Sequence, residues 1–258
     1  MTKSSPHVKN ILITGASSGI GAALAEVYAG PGTVLALTGR NQQRLDGVAE
    51  ICRNLGTTVI SACVDVQDRD AMARWIKQID SSTPLDLVIA NAGISGGTGG
   101  LGGETPDQAR DIFSVNLAGV LNTIDPAIQY MKSRQEGQIA IMSSLAAFRG
   151  LPTAPAYSAS KAAVKSYGEA LRGDLSISGI KVSVICPGFI KSRITDANTF
   201  DMPLLMEADK AASIIKHRLA KNIGLIAFPW PMYFMAWLMG SLPISWTDPV
   251  LSRLPKKA

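Results

Sequence analysis

One tyrosine and one lysine stand four residues apart in the stretch Ser143–Ala163, at Tyr157 and Lys161. On a helix this spacing puts both side chains on one face. An ammonium close to a phenol favours the phenolate, so we expect Lys161 to lower the pKa of Tyr157. A phenol with a lowered pKa exchanges protons with an alcohol or carbonyl oxygen near neutral pH. Ser144 ends a predicted strand, and its hydroxyl can hold a substrate oxygen beside Tyr157.

Three glycines, Gly15, Gly19 and Gly21, separate a predicted strand from a predicted helix. Glycine permits the sharp turn and leaves room for a pyrophosphate, and the free amides of a helix N-terminus attract phosphates. A purely structural turn is the alternative. Because the pattern follows the first strand of an alternating chain, it favours a nucleotide site.

The end of the second predicted strand indicates which dinucleotide binds. A cofactor with a free ribose 2′-hydroxyl usually meets an acidic residue there, but this chain has Gly39 followed by Arg40. A guanidinium can grip a 2′-phosphate, which favours NADP(H) over NAD(H). A solvated charge is the alternative for Arg40. Asp65, at the end of the third strand, either bonds the adenine or caps the next helix.

Short aliphatic runs alternate with helix-like segments along the chain, which predicts a parallel sheet covered on both faces. We expect one α/β domain over residues 1–258, a three-layer, doubly wound Rossmann-type sheet of about seven strands, with an apolar extension from about residue 223. Pro126 predicts a kink or break in a helical segment, and the Gly-rich residues 93–105 predict a mobile loop. The predicted strands are residues 8–14, 33–39, 57–65, 85–93, 137–144, 180–188 and 224–228.

Taken together, these motifs resemble the short-chain dehydrogenase/reductase family over residues 8–195. The resemblance implies a nicotinamide cofactor, the oxidation of alcohols or reduction of carbonyls, and a role for Lys161 in holding the nicotinamide ribose. It also implies that Asn116 binds a water of a proton relay to Lys161, whereas a buried amide satisfied by the backbone is the alternative. The matching motifs are TGASSGIG (14–21), Asp65-Val66, Asn91-Ala92-Gly93, Asn116, Ser144, YSASK (157–161) and Pro187-Gly188.

The resemblance and the residue chemistry give one set of candidate site residues. Asn116, Ser144, Tyr157 and Lys161 are the catalytic candidates. The cofactor-binding candidates are Gly15, Ser17, Ser18, Gly19, Ile20, Gly21, Arg40, Asp65, Val66, Asn91, Ala92, Gly93, Tyr157, Lys161, Pro187, Gly188, Ile190 and Ser192.

Composition argues against several other classes of protein. The net charge of +5 is scattered, so a nucleic-acid groove is disfavoured. Cys52, Cys63 and Cys186 form no CxxC pair, and with only two histidines in the chain we expect no metal site. We expect reduced thiols and a cytoplasmic location, because the N-terminus has no apolar core for a signal peptide. We also expect a homodimer or homotetramer.

Residues 223–247 carry no charge and hold three of the four tryptophans. Prolines leave Met232–Leu242 as an eleven-residue apolar helix, which is too short to cross a bilayer. Four interpretations stay open: a lid over an apolar substrate, a subunit interface, a helix lying in a membrane surface, and ordinary core. The basic end, residues 252–258, favours contact with the inner face of a membrane.

These observations favour an NADP(H)-dependent oxidoreductase that interconverts a small hydrophobic ketone and its secondary alcohol. A dinucleotide-binding regulator or scaffold without turnover is the first alternative, and the intact Ser144, Tyr157 and Lys161 argue against it. Epimerisation or dehydration is the second alternative, and the sequence lacks the acid pair that it would need.

Overall fold

The structure is a computed structural model that describes residues 8–96, 104–196 and 202–252. Most of the predicted Gly-rich loop, residues 97–103, lies outside the described residues, as does most of the basic end, residues 253–258. The prediction of a mobile loop therefore stays a prediction.

Seven strands of the described residues form one parallel sheet. They are β1 Asn10–Thr14, β2 Val34–Thr38, β3 Thr58–Ala62, β4 Leu87–Ala90, β5 Gly137–Met142, β6 Ile180–Pro187 and β7 Leu225–Phe228. Their order in the sheet is β3-β2-β1-β4-β5-β6-β7. The chain order reverses between β1 and β4, so their carboxyl ends open a crevice at the switch point of the sheet. This arrangement confirms the predicted doubly wound, seven-stranded sheet.

Helices connect the strands and cover both faces of the sheet. The α-helices of the described residues are α1 Gly19–Tyr28, α2 Gln42–Asn54, α3 Arg69–Ser82, α4 Pro106–Phe113, α5 Gly119–Arg134, α6 Pro155–Ser176, α7 Arg193–Asp196, α8 Ala208–Ala220, α9 Trp230–Ser241 and α10 Ile244–Leu251. A π-helical turn, Ser114–Ala118, joins α4 to α5, and a 3-10 turn, Leu145–Ala147, follows β5.

The period of two along each strand divides the core between the two faces. Ile11 and Ile13 point to the face covered by α1, α2 and α8, whereas Leu12 points to the face covered by α3, α5 and α6. All three side chains are fully buried. Each such side chain contributes about 1.5–3 kcal/mol of burial free energy, so the sheet is fixed from both sides.

The predicted break at Pro126 is wrong, because α5 continues through this residue. A proline inside a helix costs about 3 kcal/mol. The neighbouring Ile124, Ala127 and Ile128 are buried in the core, and their burial outweighs that cost. The irregular turn lies upstream instead, at Ser114–Ala118.

The apolar C-terminal segment forms two helices rather than one. Helix α9 starts two residues before the predicted Met232, because the first turn of a helix tolerates Pro231. Helix α10 was not predicted and contains Pro249. No residue of α9 is buried, so the interpretation as ordinary core is wrong for this helix, although Ile226 and Phe228 of the same segment belong to the core. Among the described residues, no helix combines the length and apolarity needed to cross a bilayer.

Candidate active site

The carboxyl ends of the strands border a cleft of about 450 Å³. The turn after β1 and the end of β4 lie on either side of the switch point, and the segments after β5 and β6 continue the wall. A parallel sheet binds its ligands at this place, because loops from successive strands converge there.

The turn between β1 and α1 is shaped as a cradle for phosphates. Gly15 and Gly19 have φ angles of +67° and +56°, which favour glycine. A Cβ on Gly15 would lie 2.8 Å from Cα of Ala92, and one on Gly21 would overlap the Gly15 carbonyl oxygen. Helix α1 has no side-chain cap from Ser18 and no acidic residue in its first turn. Its first amides therefore face the cleft as an anion site, and these residues fit a dinucleotide.

Thr14 holds the two sides of the switch point together. Its hydroxyl accepts hydrogen bonds from the amides of Asn91 and Ala92, each at 3.0 Å. The Asn91 carboxamide donates to the Thr14 carbonyl at 2.9 Å. Asn91 thus fixes the turn after β4 against the glycine cradle. Thr14 was missed as a site residue, although a hydroxyl at the end of a buried strand could have indicated it.

Two arginines line the cleft where β2 ends. Arg40 follows the strand directly, and Arg44 lies in the first turn of α2. Gly39 faces Ser17, and a Cβ on Gly39 would lie 2.9 Å from the Ser17 hydroxyl. Any side chain at this position would therefore require Ser17 to shift. The sequence analysis missed Arg44, although its place in the first turn after the strand is a readable signal.

Asp65 lines the cleft and does not cap α3. The cap is Asp68, which accepts the amide of Ala71 at 2.9 Å. Asp65 accepts the amide of Gln67 instead, at 3.0 Å. Of the two roles predicted for Asp65, helix capping is therefore wrong, and contact with the cofactor stays a prediction.

Tyr157 and Ser144 meet at the other end of the cleft. Tyr157 lies in the first turn of α6 and lines the cleft with Ser144, whose hydroxyl is close enough to act on the pKa of the phenol. The Ser144 hydroxyl also accepts the amide of Ala146 at 3.1 Å, which begins the 3-10 turn. Ser143 points the other way and donates to the Lys161 carbonyl at 2.7 Å. Tyr157 and Ser144 therefore present two hydroxyls to one substrate oxygen.

Lys161 is buried beneath the cleft, with 4% of its surface exposed. Its ammonium donates to the Met142 carbonyl at 3.0 Å and lies 5.8 Å from the centroid of the Tyr157 ring. Burial disfavours the charged form and lowers the pKa of Lys161 to about 8.

The predicted direction for the pKa of Tyr157 is wrong for this structure. Burial raises the pKa of the phenol above its ordinary value, and the hydrogen bond from Ser144 only offsets part of that effect. The thiol of Cys186 adds to the rise. Desolvation thus outweighs the effect of Ser144, and the phenol stays protonated at neutral pH.

Asn116 lies in the π-helical turn and is fully buried. Its oxygen accepts the Ile94 amide at 2.8 Å, and its nitrogen donates to the Ile94 carbonyl at 2.9 Å and to Ser160 Oγ at 3.1 Å. The backbone thus satisfies most of its amide, as the alternative for this residue anticipated. A water-binding role for Asn116 stays a prediction.

The cleft brings together all the predicted site residues except Asn116 and Gly21. Gly21 lies behind the glycine turn, where its lack of a side chain lets helix α1 pack against the Gly15 carbonyl. Cleft residues that the sequence analysis did not select as site residues are Thr38, Gly39, Asn41, Arg44, Val64, Ile94, Ser95, Gly96, Val115, Met142, Ser143, Arg193 and Thr195. Most belong to loops whose approach depends on the sheet order rather than on local pattern.

Helix α9 borders the substrate end of the site. Tyr233 packs edge-on against Phe148, with ring centroids 5.4 Å apart, just after the 3-10 turn that follows Ser144. A Cβ on Gly188 would lie 3.1 Å from the sulfur of Met232. Arg149 anchors α10 through Asp248, at 2.7 Å. The C-terminal helices are thus fixed to the same loops that carry Ser144 and Gly188.

The family model described as short chain dehydrogenase matches residues 9–202. An uncharacterized oxidoreductase of Myxococcus xanthus is 36% identical over 248 residues, covering 95% of this chain and 97% of that protein. The 11-beta-hydroxysteroid dehydrogenase 1A of Arabidopsis thaliana is 37% identical over 194 residues, which are 74% of this chain and 55% of that longer protein.

Two solved structures show the same fold with a dinucleotide bound. A short-chain dehydrogenase from Sphingobium yanoikuyae in complex with NADPH has a TM-score of 0.78 and 25% identity, and the match covers 92% of this chain and 97% of that one. A 3-oxoacyl-[acyl-carrier protein] reductase from Brucella melitensis with bound NAD has a TM-score of 0.74 and 26% identity, covering 86% of this chain and 90% of that one.

Proposed function

This chain belongs to the short-chain dehydrogenase family and is an NAD(P)-dependent oxidoreductase, and we propose that it interconverts a hydrophobic ketone and its secondary alcohol with NADP(H). The observation that carries this proposal is that Tyr157, Ser144 and Lys161 line one cleft together with a glycine cradle.

The residues that would hold the cofactor lie along one side of the cleft. Gly15, Gly19 and the first amides of α1 would bind the pyrophosphate, and Lys161 the nicotinamide ribose. Asn91 keeps the turn after β4 in register with this cradle. When bound, the nicotinamide donates or accepts the hydride, which is chemistry that the protein itself does not supply.

The protein supplies position and a proton. Ser144 orients the substrate oxygen, and Tyr157 donates its phenolic proton to that oxygen in reduction or removes a proton from it in oxidation. The raised pKa keeps Tyr157 protonated at neutral pH, which is the form that carbonyl reduction requires. Lys161, whose pKa falls to about 8, is largely charged at pH 7 and favours charge development on the phenol.

Arg40 and Arg44 support a preference for NADP(H). Two guanidinium groups on one border of the cleft suit the charge and geometry of a 2′-phosphate. Gly39 also supplies no carboxylate to bond a free ribose 2′-hydroxyl, and a side chain there would require Ser17 to shift. Both features act in the same direction.

The proposed substrate class rests on the apolar wall that helix α9 forms beside the cleft, next to Gly188. Helix α9 places Met232 and Tyr233 beside the loops that follow β5 and β6. An apolar ketone would fit between this wall and Ser144. The similarity to a plant hydroxysteroid dehydrogenase and to a 3-oxoacyl reductase supports a steroid-like or acyl-chain ketone as the substrate of this chain.

The outer side of the two C-terminal helices supports self-association. Trp230 and Trp246 are 72% and 69% exposed, and Phe234, Trp237 and Ile244 are exposed beside them. Contiguous exposed aromatic residues usually mark an interaction surface. We therefore propose a homo-oligomer that covers this face, and contact with a membrane surface is the alternative outcome.

Replacing Tyr157 with Phe tests the proposed function. The variant keeps the ring but lacks the proton donor, so turnover should fall by roughly 100- to 10,000-fold, while NADPH affinity stays largely intact. Turnover is followed by NADPH absorbance against aliphatic, acyl and steroid ketones, and affinity by NADPH fluorescence. Tyr167→Phe is the matched control, because Tyr167 lies on the same helix but outside the cleft. Equal turnover in the two variants would remove Tyr157 from its role.

The rival function, an NADP(H)-binding scaffold, makes a different prediction for the same measurement. Such a protein would bind NADPH tightly but oxidise it with none of the ketones, in the wild type as in the Tyr157→Phe variant. Turnover that depends on Tyr157 separates the two functions.

A further inference from the structure

The first turn of helix α6 lacks a cap from its own sequence. Ala154, at the N-cap position, has no side-chain hydrogen bond to the helix, and Pro155 has no amide hydrogen. The first intrahelical bond is that from the Ser158 amide to the Ala154 carbonyl. The amides of Ala156 and Tyr157 therefore depend on acceptors from another part of the chain.

Glu104 supplies both acceptors. Its Oε2 accepts the amide of Ala156 at 2.5 Å, and its Oε1 accepts the amide of Tyr157 at 3.0 Å. Glu104 lies 53 residues before Tyr157, immediately ahead of the Thr105 cap of α4. A carboxylate that accepts two amides at a helix N-terminus makes charge-assisted bonds and interacts favourably with the helix dipole.

The stem of Glu104 is held in place from the cleft side. A Cβ on Gly96 would lie 2.7 Å from Cγ of Glu104 and 3.0 Å from Cδ1 of Ile112. Gly96 itself lines the cleft. Glu104 thus packs between a wall of the cleft and the backbone of the helix that carries Tyr157.

We propose that Glu104 is a positioning residue for the catalytic tyrosine. Its carboxylate fixes the first turn of α6, and with it the direction in which the Tyr157 side chain leaves the backbone toward Ser144. The bond is made to the backbone amide of Tyr157 itself, so its loss would move the backbone from which the phenol extends. This inference rests on the proposed function, because it assigns Tyr157 the proton transfer.

The test compares Glu104→Ala with Asp68→Ala. Asp68 is also a carboxylate cap, since it accepts the Ala71 amide at the start of α3, but it lies outside the cleft. Both variants should lower Tm by about 2–4 °C. Only Glu104→Ala should lower kcat, by about 10- to 100-fold, with the Kd for NADPH unchanged. Glu104→Gln keeps one acceptor oxygen and should recover part of kcat.

Amide hydrogen exchange gives a readout that does not require turnover. The amides of Ala156 and Tyr157 should exchange faster in Glu104→Ala and remain protected in Asp68→Ala. Unchanged exchange at these amides, or an equal loss of kcat in the two alanine variants, would overturn the proposal. If the wild type reduces no ketone, the proposed function fails, while the exchange result still decides whether Glu104 fixes this turn.

Discussion

Lys161 carries its charge in a nearly dry environment, and this has a measurable consequence for stability. Its pKa is about 8 in the folded chain and 10.5 in an exposed lysine. Below pH 8 Lys161 is protonated in both the folded and the unfolded chain, and the free-energy cost of burying its charge is fully present. Between pH 8 and 10.5 the unfolded chain binds more protons, so this cost is relieved as the pH rises.

Chemical unfolding at pH 7.5 and pH 9 tests this effect. Lys161 alone should add about 1 kcal/mol to the unfolding free energy over that interval. The thiols of Cys52 and Cys186 act in the opposite direction, because burial raises both pKa values to about 11 and stability is lost above the thiols' unfolded pKa of 9. The relevant quantity is therefore the difference between wild type and Lys161→Met, in which the thiol effects cancel. Equal pH dependence in both proteins would contradict the lowered pKa.

At the level of single side chains, we expect Arg40 and Arg44 to set the proposed preference for NADP(H). A hydrogen bond to a charged group contributes about 1.5–3 kcal/mol, so each alanine variant should weaken NADPH binding roughly 10- to 100-fold and NADH binding far less. Arg53→Ala is the control, because Arg53 lies in the last turn of the same helix, α2, away from the cleft. Fluorescence titration with both nucleotides gives the ratio, and equal weakening of the two would remove the 2′-phosphate contact.

Individual site residues were predictable where one local motif carried the chemistry. Gly15, Tyr157 and Lys161 all line the cleft. They could be predicted because strand ends and helix starts can be recognised in short stretches of sequence. The direction of the Tyr157 pKa was not predictable, because it depends on how much protein surrounds the ring. The cap from Glu104 was equally hidden, since it joins residues 53 positions apart.

At the scale of elements, helix α6 offers a matched pair of glycines. A Cβ on Gly168 would lie 2.6 Å from Val184 Cγ2 and 3.1 Å from Ile141 Cδ1, against β6 and β5. A Cβ on Gly173 would meet nothing within 4 Å. The helix that carries Tyr157 therefore packs closely on the sheet at Gly168, whereas Gly173 lies on its exposed outer side.

Alanine at the two positions should change stability in opposite directions. Gly168→Ala overpacks the contact with the sheet and should cost about 1–3 kcal/mol. Gly173→Ala improves helix propensity at an exposed position and should add up to about 1 kcal/mol. Thermal unfolding of both variants gives the signs. A stabilising Gly168→Ala would show that α6 can shift on the sheet, and the close approach would then not position Tyr157.

Helices and strands were predictable from periodicity wherever one face is buried. Helices α9 and α10 were harder, because an evenly apolar segment has no face that indicates its orientation, and Pro249 concealed α10. The π-helical turn at Ser114–Ala118 has no sequence signal comparable to a proline. Tertiary packing of Asn116 against Ile94 accompanies it instead.

At the scale of the whole molecule, alternation of apolar strands and helices was enough to predict the doubly wound sheet. Right-handed crossovers leave few ways to order parallel strands, so the position of the cleft followed from the same pattern. What covers the exposed apolar face of α9 and α10 was not predictable. The sequence of one chain shows which residues are apolar, but it does not show which molecule they contact.

Replacing Trp230 and Trp246 together with Gln tests whether a second copy covers that face. Both side chains are largely exposed, so the fold should persist, while a homodimer or homotetramer should dissociate because buried tryptophans dominate interface free energy. Sedimentation velocity measures the size, and Ile51→Gln with Leu55→Gln is the control, since these residues are exposed on and beside α2. A wild type that sediments as a monomer would contradict the interface. If the wild type also floats with anionic phospholipid vesicles and the tryptophan variant does not, then the face binds membrane surfaces, and the apolar substrate would reach α9 from the lipid.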